Sequence, residues 1–568
     1  MSCSEYELLD DIDALEPHYR STHGKLSAIS SCGESFMVKV KRMERVAQNE
    51  GIMRAVPIIR ILAGFARCFA PPESSMPFQE VGTPMAQKSH DESDVVFTTA
   101  EPTMHLDYFV SHVWAATRYQ KYLALLYHAN LRIAVTCAVI TWLFSVWLLL
   151  HQYDYALASF GGVSWGMPVT ARVVFAPVAV FYSVFFLGHK CPRRRRDMYW
   201  VDKLCIHQTR TDLKHAGIDA LPEFVANSNR LLLLWSDQYF ERLWCNAEVA
   251  TFCAVNGSAR AIDFQPLWLA PWVLTTIGMD VISIILLSKF TALVPIVNNY
   301  FAGVFGHGTS GHVFFGQMFG IGLCMGLSYM PASIPNYYSF TAKLEQHAAM
   351  MAQLSSYSLD QAKCAVEEDR AVVEKHIKLL FGECPELGKD AGPAARDPIG
   401  RFNHFMQVDL RYACSDKIGL STRIPYGISQ LVFLPLIFEA VANILNCDGF
   451  DCTQGAVAEG YSSALVFMMT NATNWFFGVF LVYPTTYSLM LLAMDYLRTH
   501  SNGWRRSVGS LVCIVGMYFT MGFMEGCVGG CVVNIVTHGS VFWVCCGLAY
   551  LCGLVALNLK LFRRSATG

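Results

Sequence analysis

The side chains that could do chemistry concentrate in residues 107–253. Ser111 and His112 close a short β-rich run, Asp107 to His112, while Asp202 and Lys203 close a second that begins at Met198. Ser236 and Asp237 follow a third, wholly apolar run, Leu231 to Trp235. Glu248 lies one turn into the helical pattern LWCNAEVATF, behind Trp244 and Cys245. If the three runs are parallel strands, their carboxyl ends bring these groups to one edge, which is where such sheets gather ligands. A fixed carboxylate there can stabilise positive charge developing on a substrate or hold its hydroxyls. Ser236 and Asp237 read equally as turn residues and helix caps. Glu248 stands at a helix start that also needs apolar packing, so its carboxyl is expected to be held.

Other constellations are weaker. His189, Cys191, Cys205 and His207 form H-x-C and C-x-H pairs, but paired zinc ligands ordinarily leave two or more residues between them, so no metal site is assigned. His307 and His312 lie in a glycine-rich connection and are not assigned either. No phosphate-binding P-loop, GxSxG elbow, HExxH pair or dinucleotide GxGxxG occurs in a suitable context. Asp280, Glu439 and Glu525 fall within or beside apolar runs, where an acid is a functional candidate by default and a helix-end or interhelical partner is the alternative.

What must position these groups is set by composition. Of 568 residues, 53% are hydrophobic and only 15% charged, with mean hydropathy +0.33 and net charge −2. A soluble chain carries roughly 25% charge. These values exclude a disordered scaffold, a collagen-like repeat and an ordinary cytosolic enzyme, and they give no field for nucleic acid. An α-helical polytopic membrane protein is predicted, with the lipid bilayer as its first partner. Eight apolar runs approach the length of a span: Ile133 to Leu150, Val173 to Leu187, Leu267 to Leu287, Val313 to Met330, Ser429 to Leu445, Ala472 to Met494, Val508 to Gly522 and Phe542 to Leu557. Arg193 to Arg196, Arg505, Arg506, Arg563 and Arg564 then fall on one side, which predicts both termini and the 107–253 region to be cytoplasmic. Gly316-xxx-Gly320 and Gly322-xxx-Gly326 predict close helix packing in the fourth span. Cys447, Cys452, Cys527 and Cys531 fall in short outward loops, where either disulfides or free thiols fit. The 20 cysteines are otherwise scattered, as small buried hydrophobes are.

The chain divides into a cytoplasmic N-terminal region and linker (1–106), an α/β unit (107–266) interrupted by a membrane hairpin (132–188), two spans (267–330), a helical cytoplasmic region (331–424), and four spans with a tail (425–568). Basic residues between Val38 and Phe69 suit a helix lying on an anionic leaflet or packed on the next domain. Within 107–266 the order strand, helix, strand, helix, strand, helix is that of a parallel α/β sheet, with Ala261 to Leu267 as a fourth strand. The pattern Leu359 to Phe381 is an amphipathic helix, read as an interaction helix or a lid.

The series FVSH, WVDKLCIHQ and ANSNRLLLLWSDQYFERLWCNAEVATF resembles a Toll/interleukin-receptor-type (TIR) domain. It is nearest the divergent branch shared with fungal heterokaryon-incompatibility proteins and the TIR-like proteins of algae and protists. The W-C-x-x-E element, Trp244, Cys245 and Glu248, carries most of the likeness; Ser236 and Tyr239 strengthen it. The resemblance covers two separated pieces of the chain and departs from the family through the inserted hairpin and through the lack of a recognisable final strand. It implies a flavodoxin-like fold and association with other TIR-like domains or copies of itself. It also implies a possible NAD-cleaving activity with Glu248 as the catalytic carboxylate and Ser111, His112, Asp202 and Trp244 lining the NAD cleft. Three functions follow as expectations: a signalling or assembly module, an NAD glycohydrolase, and a channel or transporter gated by the TIR-like unit.

Overall fold

The computed structural model describes residues 51–70, 96–103, 105–156, 171–191, 197–256, 261–364, 367–383, 397–419, 421–445, 456 and 461–562. One six-stranded sheet is formed by β1 (Arg54–Pro57), β2 (Glu101–Pro102), β3 (Leu106–His112), β4 (Met198–Trp200), β5 (Ser228–Trp235) and β6 (Ile262–Pro266), in the order β2-β1-β4-β3-β5-β6. The last four are parallel: Tyr108 pairs with Tyr199, His112 with Leu234 and Trp235 with Pro266. β1 and β2 extend the β4 edge antiparallel, through Val56 opposite Tyr199 and Arg54 opposite Pro102. In β5, Leu231 to Trp235 are each at most 1% exposed, as a strand covered on both faces requires. Residues 54–69 thus give a strand and short helical turns packed on the sheet, not a surface helix; residues 38–50 lie outside the described part.

Among the described residues, seven helices are long and apolar enough to cross a membrane, one fewer than the sequence predicts. We label the elements α1 (Arg118–Ala156), α2 (Ala176–Leu187), α3 (Thr211–Asp219), α4 (Leu221–Ala226), α5 (Leu243–Asn256), α6 (Leu269–Phe290), α7 (Leu293–Phe305), α8 (Ser310–Tyr329), α9 (Ser333–Ser355), α10 (Glu367–Glu383), α11 (Pro398–Phe405), α12 (Arg411–Ile418), α13 (Tyr426–Val432), α14 (Leu434–Leu445), α15 (Ala464–Phe477), α16 (Tyr483–His500), α17 (Gly503–His538) and α18 (Val541–Phe562). The difference is the fifth predicted span, which breaks at Phe433, just before Pro435, into α13 and α14. A further correction concerns Cys527 and Cys531: both are free thiols inside the continuous α17, not in a loop. Cys447, Cys452 and Arg193 to Arg196 lie outside the described residues.

The glycine spacing in α8 serves two neighbours. A methyl group on Gly316 or Gly320 would meet Asn298 or Val294 of α7, and one on Gly322 or Gly326 would meet the rings of Phe523 and Phe519 of α17. α17 answers with Gly522, Gly526 and Gly530, a spacing that our sequence reading did not single out. A methyl on Gly526 would lie 2.6 Å from Met318 Cα, so the two backbones are in direct contact. The break at Phe433 has its own partner: Asp280 of α6 accepts the Leu436 N–H at 2.9 Å and the Tyr329 hydroxyl. A backbone donor freed inside an apolar bundle is thereby satisfied. Glu525, fully enclosed in α17, lies 3.1 Å from the Tyr483 hydroxyl through both of its oxygens.

Candidate functional site at the carboxyl ends of the strands

Parallel pairing of β3, β4 and β5 carries Ser111, His112 and Asp202 to one end of the sheet, and α5 crosses that end. Cys245 and Glu248 are three residues apart, hence on one face of α5. Cys245 donates its thiol to the His112 carbonyl at 3.6 Å, and Glu248 accepts the Ser111 hydroxyl. With that proton committed to Glu248, the Tyr239 hydroxyl donates to Ser111, giving a chain Tyr239, Ser111, Glu248 that ties three elements together. Tyr239 comes from the short turn Tyr239–Glu241 after β5 and is fully buried.

The electrostatics of this cluster follow from its enclosure. Burial pushes the Glu248 carboxyl up to about 8; the Ser111 bond pulls it down and the nearby Asp202 adds to the rise. Burial likewise pushes Asp202 up to about 6, against the Lys203 backbone N–H at 2.6 Å, the Lys121 charge and the Trp114 indole. His112 is held well below its ordinary value by burial and by Lys121, so its imidazole is neutral.

Lys121, near the start of α1, is the residue sequence reasoning missed. Its ammonium is buried without a hydrogen-bond partner among the described residues and faces the rings of Phe69 and Trp114 at 5.3 and 5.4 Å. The Nε2 of His112 is also buried and unpartnered there. Nothing in the local sequence marks Lys121; it joins the cluster because α1 folds back across the sheet.

The structure therefore brings Ser111, His112, Asp202 and Glu248 to one edge. Trp244 goes elsewhere. One position from Cys245, it turns toward α10 and donates its indole N–H to Asp369 at 3.1 Å. The same side of α5 carries Thr251 against His376 at 3.0 Å. The turn before α5 is bound by Lys363, whose backbone N–H reaches the Glu241 carbonyl at 2.6 Å and whose carbonyl accepts the Leu243 N–H. Gln353 of α9 donates to the Asp237 carbonyl at 2.6 Å. The helical block 333–418 is thus docked on α5. Among the described residues no group of histidine, cysteine and acidic side chains is placed to hold a metal ion.

No family model matches the chain, and neither does any curated protein or solved structure.

Proposed function

We propose that this is a membrane-embedded signalling or assembly protein built around a cytoplasmic TIR-like unit. The parallel strands place the first between the second and the third with the fourth outside, which is the flavodoxin-like order without its fifth strand. The observation that carries the assembly reading is the state of Glu248. Its carboxyl is neutral near pH 7 and engaged by Ser111, so without a bound cation it acts as a buried hydrogen-bonding tie between α5 and β3. The unit is also joined covalently to the bundle at both ends, through β3 into α1 and through β6 into α6 two residues on. A change in the bundle therefore has a short mechanical route to the sheet. The Lys/Arg bias of the sequence supports a unit and termini on the cytoplasmic side, a path in which the interrupted pair α13–α14 is the eighth crossing.

A second reading, NAD cleavage with Glu248 as the carboxylate, is favoured by one observation: Ser111, Asp202, Glu248 and the unpartnered Lys121 meet at the strand ends. Loss of nicotinamide builds positive charge on the ribose, which an adjacent carboxylate stabilises. The positive nicotinamide of NAD would itself favour ionised Glu248. Detergent-purified full-length protein, wild type and Glu248→Gln, separates the two by chromatography of incubated NAD and by light scattering. Oligomers of both proteins with no nicotinamide from either support assembly. Nicotinamide from the wild type alone establishes the enzyme, and monomers throughout refute the assembly reading.

A further inference from the structure

A cavity of about 1120 Å³ opens at the opposite, amino-terminal ends of the strands. Its level relative to the bilayer is set by two of its lining residues. Arg132 of α1 lies immediately before the apolar run beginning at Ile133, and Lys190 lies three residues after the end of α2. The cavity therefore sits where α1 enters the apolar layer and α2 leaves it, at the level of lipid head groups. Arg60, from the short helix after β1, joins them on the same cavity.

Charge decides what such a cavity can hold. Arg60, Arg132 and Lys190 are exposed, and their side chains have no ion-pair or hydrogen-bond partner among the described residues. The carboxylates lining the cavity do not neutralise them. Asp263 is held by Arg230, with contacts of 2.5 and 2.6 Å, and Asp197 already has a partner. Glu101 of β2 is the third acid, one carboxylate against three cations. An anion is favoured there.

The apolar part of the wall decides which anion. Ile58 and Ile59, from the same short helix as Arg60, and Leu131 of α1 line the cavity too, and Ile59 is 43% exposed. Leu131 and Arg132 run directly into Ile133, itself 41% exposed at the start of the apolar run. Inorganic phosphate gains nothing from isoleucines beside a cation. A phosphate that carries acyl chains covers them, with the cations left at the phosphate level.

We propose that this cavity binds an acidic phospholipid, with the phosphodiester at Arg60, Arg132 and Lys190 and the glycerol backbone and chains along Ile58, Ile59 and Ile133. Two of the three cations are arginines, which can each grip two phosphate oxygens at once. The site is separate from the Glu248 cluster and rests on neither reading of it.

The test is native mass spectrometry of the detergent-purified full-length protein titrated with phosphatidylglycerol and phosphatidylcholine of matched acyl chains, with inorganic phosphate as competitor. Phosphatidylglycerol is expected to be retained at least about tenfold better than phosphatidylcholine. The variant Arg60→Gln/Arg132→Gln/Lys190→Gln should reduce that retention at least about tenfold, and Lys190→Gln alone about threefold, with unchanged elution in size-exclusion chromatography. Arg505→Gln/Arg506→Gln, which removes two cations near the start of α17 and outside the cavity, should leave it at the wild-type level. Equal retention of the two lipids overturns the proposal, as does wild-type retention by the triple variant or an equal loss in the α17 pair. Displacement of the lipid by an equal concentration of inorganic phosphate overturns the assignment to a membrane ligand.

Discussion

Replacing Glu248 by glutamine should change how the stability of this protein depends on pH, in a direction fixed by the enclosure of the cluster. The unfolded chain releases the Glu248 proton near the ordinary value of 4.5, whereas the folded chain keeps it until about 8. Between those values the unfolded state binds fewer protons, so stability falls as pH rises. The limiting slope is about 1.4 kcal/mol per pH unit, hence about 3 kcal/mol between pH 5.5 and 8. The carboxyl is enclosed but the residue as a whole is half-buried, and allowing for water at its open side brings this to about half. Glutamine keeps the shape and can still accept from Ser111, but it has no proton to lose. Thermal unfolding of detergent-solubilised protein, followed by fluorescence, should show the wild-type midpoint falling between pH 5.5 and 8 more steeply than that of Glu248→Gln, by roughly 1–2 °C for a chain of this length. Asp202, raised to about 6, contributes the same descent to both proteins and cancels in the comparison. Parallel midpoint curves for the two proteins would refute the argument that Glu248 is held neutral by burial.

Gly526→Leu forces a side chain into the Met318 backbone and should separate α8 from α17, costing at least 2–3 kcal/mol and lowering the yield of folded protein in size-exclusion chromatography. Asp369→Asn weakens the acceptor for the Trp244 indole at a surface where several other contacts hold the helical block, so it should cost about 1 kcal/mol and increase proteolysis within 367–383. Asp280→Leu strips the partner from the Leu436 N–H and the Tyr329 hydroxyl, with an expected loss of about 2–4 kcal/mol in the melting assay; Asp280→Asn retains an acceptor and should lose much less. If nicotinamide is released from NAD, the rate at low substrate should climb with pH as Glu248 ionises, reach half its maximum near pH 8 and level off about one unit higher; a flat profile from pH 6 to 8 would speak against carboxylate catalysis.

The parallel strands were legible because β5 is a run of apolar residues too short for a helix and β3 ends on polar residues at a loop; β1 and β2, short strands within the stretch read as N-terminal region and linker, were not. Convergence of Ser111, Asp202 and Glu248 followed from parallel pairing alone. Trp244 and Glu248 are four residues apart and share a face of α5, but the Trp244 indole is drawn to Asp369 of α10, a partner 125 residues away that the motif does not contain. The fifth predicted span is not one continuous helix for another reason: hydropathy records that Ser429 to Leu445 is apolar but is blind to a break whose freed N–H is met by an acid 156 residues away. Lys121 was invisible for a like cause, since its place depends on how the first turn of α1 packs against Phe69 and Trp114.

That helix links the two ends of the unit. Lys121 faces the Glu248 cluster and Arg132 the amino-terminal ends of the strands, eleven residues apart and about 16 Å along the axis. An α-helix over that length is stiff, and its first turns are pinned by Phe65 against Tyr122 at 5.4 Å and by the Asn130 amide donating to the Phe185 carbonyl at 2.8 Å. At its near end the Lys121 charge helps to keep His112 neutral and draws Asp202 toward ionisation. The hairpin inserted between the first two parallel strands, an interruption of the sheet in sequence, therefore brings to the unit both a charge at the Glu248 cluster and one at the opposite ends of the strands.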